Sequence, residues 1–465
     1  MRALVRASAL LIGLLSACGG GEGAGEAGGT SAPGGAASAG SRGSQPPPSV
    51  ILLSIDTLRA DHLGLYGYER DTSPYLDRLA QECLVFDRAY TTAPWTLIAH
   101  MSMMTGLEPA EHGVVDAKKA VSPQVPMLAE RLREHGYRTL GFYFGEWLGA
   151  RYGFRRGFEV YRAHKNAEQA TLHLRAGLEG HNPNRPLFLF AHLFDVHTAA
   201  FGQGFRGFYD PPPPFDTMFL ADARERLADV PCAPVWLGKG SLTDDQVEGM
   251  VALYDGGVRY IDGVLEDWIE GWRAEGLLDR SLLILTADHG ESLGQRGLVG
   301  GHGGMYEEGL RIPLLIRFPD GYRAGEREQG VASVIDYPAT VLDYVGLDIE
   351  PWRGGRSLAQ ALPAERVVLA ERDSILTLIG PDWKVTEAEG SGQVVHLSED
   401  GAELNPYPLR SEEGRPQAVA LRRAHRDAQV ARVALPGAAV DLDSLDQAAR
   451  RELQALGYVD EVEQD

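Results

Sequence analysis

The sequence predicts an α/β protein built on a mainly parallel sheet covered by helices on both faces. Three observations carry that expectation. Val50-Ile51-Leu52-Leu53-Ser54-Ile55 is an apolar run that delivers Asp56 and Thr57 at its carboxyl end. Leu282 to Thr286 repeats the pattern and closes on Ala287-Asp288-His289-Gly290-Glu291. Between them, strand-like runs alternate with stretches of helical spacing, as expected for parallel strands buried on both faces.

After the first strand, Ser73 to Gln81 places Tyr75, Leu76 and Leu79 at helical spacing, with Pro74 near the start and Ser73 as cap. Cys83 to Tyr90 reads as a strand feeding a helix that opens at Thr96. Val125 to His135 reads as a helix stopped by Gly136, followed by a strand from Thr139 to Tyr143. Pro186 to Phe194 is another buried strand, which places Asp195 and His197 at its carboxyl end. Helices around Asp244 to Glu275 lead into the Asp288 strand. The stretch Thr198 to Lys239, with Pro211 to Pro214 and several glycines and aromatics, is irregular; following His197 directly, it reads as a substrate-side lid. After Leu347 the segments shorten: Val367 to Glu371, Asp382 to Val385 and Val394 to Leu397, with Ser444 to Leu456 as a terminal amphipathic helix. The organisation is therefore a large domain over 49–350 and a small α+β subdomain over 351–465.

The amino terminus has a different character. Arg2 and Arg6 precede an apolar run from Ala9 to Leu15 and then Leu15-Ser16-Ala17-Cys18, the pattern of an export signal over 1–18. Cys18 resembles the cysteine of the bacterial lipobox, which implies lipidation there and a membrane-anchored protein of the periplasm or outer face of the cell envelope. Residues 19–48 are mostly Gly, Ala, Ser and Pro, too poor in large apolar side chains to fold, and read as a flexible tether. Cys83 and Cys232 remain, able to pair or to stay as two thiols. A formal net charge of −21 argues against nucleic acid or an acidic membrane surface as partner.

Ligands of open α/β sheets bind beyond the carboxyl ends of the strands. Two buried strands ending in Asp56 and in Asp288-His289 can bring hard oxygen and nitrogen ligands to one divalent metal. Carboxylates with an imidazole suit Zn or Mn, and Ca where the imidazole does not coordinate. Each Asp taken alone would serve equally as a cap for the helix that follows its strand.

Between these strands lies Thr92-Ala93-Pro94-Trp95-Thr96-Leu97-Ile98-Ala99-His100, running on to Thr105-Gly106. Further on come His192-Leu193-Phe194-Asp195-Val196-His197, Tyr254-Asp255 with Tyr260-Ile261-Asp262, and Met305-Tyr306-Glu307-Glu308-Gly309-Leu310-Arg311. In this order, from about Val50 to about Leu347, the chain resembles the sulfatase branch of the alkaline phosphatase superfamily. The resemblance implies an alkaline-phosphatase-like fold, a divalent metal, and hydrolysis of sulfate or phosphate esters of a small molecule, glycan or lipid headgroup. It also implies a nucleophile at Thr96, which would join Asp56, Asp288 and His289 around the metal.

The chain departs from the family pattern at that point. Sulfatases carry Cys or Ser there, within Cys/Ser-x-Pro-x-Arg, and oxidise it to formylglycine; here Thr96, Ile98 and His100 occupy those positions. A secondary alcohol cannot give an aldehyde, so Thr96 points instead to direct attack by a hydroxyl, the route of phosphodiesterases and phosphoglycerol transferases of the superfamily. Thr96 as a mere helix cap on an inactive relative is the alternative. His302, within Gly300-Gly301-His302-Gly303-Gly304, stands near where sulfatases carry a Lys. Catalytic candidates are thus Thr96, His100, His197 and His302, and Asp195, His197 and His302 form a candidate second metal site. Phe144-Gly145-Glu146-Trp147-Leu148 faintly matches the sulfatase Gly-Lys-Trp-His segment without its Lys and His. The expected activity is metal-dependent ester hydrolysis, with phosphoglycerol-type transfer or non-catalytic binding as rivals.

Overall fold

The computed structural model describes residues 47–198, 208–232, 235, 240–299, 304–349, 354–389 and 391–428, with the backbone at 438–439. Cys18, His302, nearly all of the tether and the expected helix at Ser444 to Leu456 lie outside the described residues.

Strands β1 (Ser49–Ile55), β2 (Leu84–Phe86), β3 (Arg138–Phe144), β4 (Val160–His164), β5 (Leu187–Leu193), β6 (Ser281–Ala287), β7 (Leu314–Arg317) and β8 (Arg327–Glu328) form an eight-stranded sheet. Their spatial order is β8-β2-β7-β6-β1-β5-β3-β4. β1 runs parallel to β5 and β6, and β3 runs parallel to β4 and β5. β7 is antiparallel to both of its neighbours, β6 and β2. Every residue of β1, β5 and β6 is buried. Because successive side chains of a strand point to opposite faces, burial of all of them means that both faces are covered.

Register decides where the chemistry emerges. Ile55 of β1 pairs with Leu193 on one side and Ala287 on the other. Asp56 and Asp288 therefore leave the sheet side by side, each one residue beyond the paired strands. Asp56 N still donates to Leu193 O at 2.8 Å, so the first acid is fixed by a sheet hydrogen bond.

Helices α1 (Pro74–Leu79), α2 (Thr96–Thr105), α3 (Leu128–Glu134), α4 (Ala167–Leu178) and α5 (Asp244–Ala274) accompany the sheet. α2 is buried along its whole length and ends at Gly106, whose φ of 72° is the left-handed stop that glycine supplies cheaply. The helices expected around Asp244 to Glu275 are one continuous helix of 31 residues, opened by a capping box between Thr243 and Gln246. Ser73 does not cap α1. Its hydroxyl accepts from Gly64 N and donates to Asp77, while the first N–H groups of α1, on Tyr75 and Leu76, donate to the carboxylate of Asp262 in α5, both at 2.9 Å. A carboxylate brought in by tertiary packing thus replaces the local cap.

The strand expected over Cys83 to Tyr90 divides. Leu84–Phe86 enters the large sheet, and Ala89–Tyr90 pairs instead with Arg311–Ile312 and Ala332–Ser333. In the described part of the expected lid, Phe208 and Tyr209 are buried and Tyr209 meets Tyr254 of α5 edge-on at 5.3 Å, while Pro212 to Pro214 and Met218 are exposed. Cys83 and Cys232 are both free thiols. No helix among the described residues is long and apolar enough to cross a membrane.

Beyond the large sheet, β9 (Val368–Arg372), β10 (Ile375–Ile379), β11 (Trp383–Ala388), β12 (Ser391–His396) and β13 (Tyr407–Pro408) form an antiparallel five-stranded sheet. Helix α6 (Gly414–Ala428) sets Ala418 and Leu421 against Leu378, Val385 and Val394 of that sheet. This is the small C-terminal α+β subdomain.

A buried histidine behind α2 makes the fold sensitive to acid. His112 Nδ1 accepts from Val114 N at 3.1 Å, so the ring proton sits on Nε2 and faces Ser102 Oγ at 3.2 Å. Protonating Nδ1 would break the first bond and bury a charge; burial alone holds this imidazole down to about 3. The folded value lies below the unfolded value of about 6.5, so the stabilisation is complete above that pH and is lost as pH falls through the window toward 3. Thermal unfolding followed from pH 7 to pH 4 is expected to show a falling midpoint. His112→Gln is expected to make that fall shallower; parallel curves for the two proteins would contradict this assignment.

Candidate active site

Asp56 is fully buried at the end of β1. The next residue, Thr57, has φ of 54°, a left-handed conformation that a β-branched side chain adopts only under constraint. The constraint is visible. Tyr254 of α5 donates its hydroxyl hydrogen to Thr57 O at 2.9 Å and accepts from Arg59 N at 2.8 Å, while Thr57 N donates to Asp288 Oδ1 at 3.3 Å. α5 and β6 together thus hold the sharp bend that follows Asp56.

Thr96 is the first residue of α2, not its cap. The capping position belongs to Trp95, which is extended at φ −160° and ψ 125° and makes no side-chain capping bond. The Thr96 hydroxyl is therefore available to the strand ends: Oγ1 lies 3.3 Å from Asp56 Oδ2 and 3.3 Å from His289 Nε2. His289 Nδ1 lies 2.7 Å from Gly290 O. A carbonyl can only accept, so Nδ1 carries the ring hydrogen and Nε2 presents its lone pair toward Thr96 and the two carboxylates. That tautomer, fixed by a backbone carbonyl, is the arrangement of a metal-ligating histidine.

The carboxylates themselves ask for a cation. Asp56 Oδ1 and Asp288 Oδ2 are buried and accept no hydrogen bond. Burial, then the neighbouring Asp288 charge, pushes Asp56 well above the usual carboxylate range. For Asp288 burial acts upward as well, but His289, His100 and His192 together bring it below its ordinary value. Two adjacent buried acids with orphaned oxygens are costly unless a positive charge sits between them. Ligand atoms of Asp56, Asp288 and His289 converge within 4.8 Å of one another, and so do those of His100, His192 and Asp288. The first set fits a divalent cation better. His100 Nδ1 donates to Thr96 O at 2.9 Å within α2, and its Nε2 faces Ser54 Oγ at 3.0 Å, so both nitrogens are engaged. The chemistry of the first donor set suits Zn or Mn, and its paired carboxylates also suit Ca.

The other expected residues are distributed unevenly around this centre. His100 lies beneath it, on the inner face of α2. His197 is buried; its Nδ1 lies 2.7 Å from Thr198 O, its ring stacks on Phe194 at 4.1 Å, and burial holds it down to about 3, as a neutral imidazole. Asp195, at the same strand end, turns Oδ1 to Ala167 N at the start of α4, 3.1 Å away, and burial raises it to about 6. Neither His197 nor Asp195 belongs to a group of converging ligands among the described residues, and His302, the third member of the expected second site, lies outside them. Trp147 packs edge-on against Trp95 at 5.2 Å, which brings the Phe144-to-Leu148 segment beside the start of α2.

Two residues not anticipated belong to the site. His192 sits inside β5, fully buried, with Nε2 3.3 Å from Asp56 Oδ2 and its ring 4.6 Å from that of His100. A lone imidazole in an otherwise apolar strand was the available signal, because a strand covered on both faces leaves it no water. Glu291, also buried, accepts from Thr198 Oγ1 at 2.8 Å, and burial raises it to about 7. A separate cavity of about 690 Å³, lined by Arg59, Asp61, Arg296, Glu308 and Asp382 among others, includes none of Asp56, Thr96, Asp288 or His289 in its walls.

A mixed, mostly parallel sheet with the acids and Thr96 at its carboxyl edge, followed by an antiparallel C-terminal subdomain, defines an alkaline-phosphatase-like fold of the sulfatase type. The sulfatase family profile matches residues 48–347, and the chain belongs to that family. It is 26% identical over 345 residues to N-acetylgalactosamine-6-sulfatase of Homo sapiens, a match covering 66% of this chain and 63% of that protein. It is 24% identical over 379 residues to an arylsulfatase of Clostridium perfringens, covering 67% of this chain and 77% of that one. The match to the human relative thus spans less than two thirds of that protein's length. Among solved structures, the phosphonate monoester hydrolase of Agrobacterium radiobacter superposes with a TM-score of 0.67 at 17% identity, covering 82% of this chain and 96% of that one; at that identity the likeness concerns the fold alone.

If Asp56 and Asp288 share a divalent cation, chelation leaves two buried acids facing each other with nothing to offset their repulsion. Treatment with a chelator is expected to lower the unfolding midpoint of the natural protein, and Zn, Mn or Ca should restore it. Asp288→Asn should lose stoichiometric metal, yet in chelator its midpoint should match or exceed that of the chelated natural protein, because the repulsion is gone. Full metal content in Asp288→Asn would refute the ligand set.

Proposed function

We propose that the chain hydrolyses phosphate or sulfate esters with Thr96 as nucleophile, and that phosphate esters suit its hydroxyl best. The observation that carries this reading is the position of Thr96 Oγ1, at the start of a buried helix and 3.3 Å from both Asp56 and His289. A divalent cation held by Asp56, Asp288 and His289 would supply Lewis acidity, lowering the pKa of a nearby hydroxyl and neutralising charge that builds on the ester. Thr96 Oγ1 loses its proton to the Asp56 carboxylate, attacks phosphorus or sulfur, and forms the new ester as the bond to the substrate alcohol breaks. The proton that Asp56 took passes to the departing oxygen; water then bonds to phosphorus or sulfur as the bond to Thr96 Oγ1 breaks, and one of its protons restores the hydroxyl. N–H groups that open α2 face the charge developing on the non-bridging oxygens, with His197 as a further neutral contact. His302 remains a candidate for the same role.

The test is an activity panel of aryl sulfates, phosphate monoesters, phosphate diesters and phosphonates with several divalent ions. Thr96→Ala is expected to lower turnover by orders of magnitude. Because Thr96 is not the cap of α2, the unfolding midpoint should scarcely move, and Thr96→Ser should retain part of the activity. A Thr96→Ala enzyme with natural turnover would show that water attacks directly.

For residues 1–18 we propose an export signal with lipid attached at Cys18, the tether then holding the enzyme at a membrane of the bacterial envelope. Expressed in a bacterial host, the protein is expected in the membrane fraction, and Cys18→Ala is expected to release it. Unchanged partitioning and mass in Cys18→Ala would overturn the anchor.

A further inference from the structure

The C-terminal subdomain touches the loop preceding Thr96 at three points. Glu371 N donates to Thr92 O at 2.8 Å. Arg372 Nη1 donates to Pro94 O at 3.1 Å. The Arg372 guanidinium also lies 5.7 Å from the ring centroid of Trp95, the residue that immediately precedes α2. Arg372 itself has little freedom. It pairs with Ile375 at the end of the β9–β10 hairpin, whose two connecting residues, Asp373 and Ser374, have φ of 50° and 65°. Two consecutive left-handed residues make the tight connection that best fits the twist of a hairpin, so the register of Arg372 is set by the turn beside it.

The start of α2 needs such support. Trp95 supplies no capping bond, and Thr96 is not held by one of its own. Within α2, Ala99 N donates to Trp95 O and His100 Nδ1 to Thr96 O, so the helix holds its own first turn; the direction in which that turn begins is set by the loop, and the loop is gripped from β9. A guanidinium suits the task because its planar fork can donate to a carbonyl while the same charge lies against an indole; an ammonium offers the charge without the fork.

We propose that Arg372 is a positioning residue for Thr96, by which the C-terminal subdomain sets the nucleophile against Asp56 and His289. The proposal rests on the reading of Thr96 as nucleophile. Its physical content is that loss of the Arg372 contacts loosens residues 92–97 and displaces Thr96 Oγ1 without disturbing the acids. A displacement of about 1 Å in a reacting group costs roughly 10²-fold in rate, so the effect should fall on kcat and not on KM.

The experiment uses the full chain with Arg372→Met, which keeps the apolar stem, and Arg372→Lys, which keeps the charge. Amide hydrogen exchange of peptides covering 92–99 is compared with that of peptides covering β1 and β6, and steady-state kinetics are measured on whichever ester of the panel the natural protein hydrolyses. Faster exchange confined to 92–99 is expected in Arg372→Met, with kcat down about 10- to 100-fold, KM within about twofold, and partial recovery in Arg372→Lys. Unchanged exchange at 92–99 in a folded Arg372→Met overturns the proposal whatever the kinetics show. Faster exchange with unaltered kcat in an active enzyme overturns it as well. If the natural protein hydrolyses none of the esters and exchange at 92–99 still rises, the grip of Arg372 on the loop stands and the hydrolase reading falls. Should Arg372→Met fail to fold, Arg372→Lys alone decides by the same two readouts.

Discussion

Two carboxylates, Asp56 and Asp288, stand side by side and fully buried, and the surrounding architecture is arranged to make that tolerable. They arrive on adjacent parallel strands because Ile55 pairs with Ala287, a register that places the next residue of each strand at the same height. Imidazoles close in from three elements: His289 from β6, His192 from β5 and His100 from α2. His100 and His192, held neutral by burial, temper the repulsion without cancelling it, since each can donate or accept but adds no full charge. Two buried oxygens are left for a cation to satisfy.

Much of this was legible from residue order. An acid at the end of an apolar run declares both the strand and the place where the strand opens into the site, which is why Asp56, Asp288 and His289 could be singled out. Thr96 is placed by the resemblance to sulfatases, aligned through Thr105-Gly106. What could not be read was the division of labour among similar residues. Asp195 ends its strand much as Asp56 does, but its carboxylate serves the N-terminus of α4, a helix whose position depends on packing. His192 is the penultimate residue of its strand, and its neighbours come from β1 and α2, so only the assembled sheet reveals its role. Ser73 has every local qualification for a helix cap, and Asp262 displaces it from a helix almost two hundred residues away. At Ser73 a tertiary partner prevails over a local capping preference worth about 1 kcal/mol.

The C-terminal subdomain is bound into the large domain by charged groups as well as by backbone. Lys384 of β11 is buried and pairs with Glu403 at 2.5 Å and with Glu307 at 3.3 Å, and Glu307 also accepts from Tyr90. Glu307 opens the short helix Glu307–Leu310. Such a buried cluster contributes little net stability once desolvation is counted, but removing one partner strands the others. It fixes relative placement, which a surface joined by apolar contact alone would leave adjustable.

The long helix α5 carries a consequence for how the chain reaches its native state. Tyr254 holds the bend after Asp56, Asp255 takes hydrogen bonds from His62, Tyr68 and Arg70, and Asp262 receives the start of α1. The partners in these bonds lie 197, 193 and 186 residues apart in sequence. Contacts of such separation form only after long loops have closed, which places them among the slower events of folding. A nascent chain emerging amino-terminus first presents β1 and α2 well before α5 exists, and Thr57 then has nothing to hold it in its left-handed bend. The amino-terminal half must wait, unfinished, for the helix that completes it, and during synthesis its exposed parallel strands are the part of the molecule most in need of protection from aggregation.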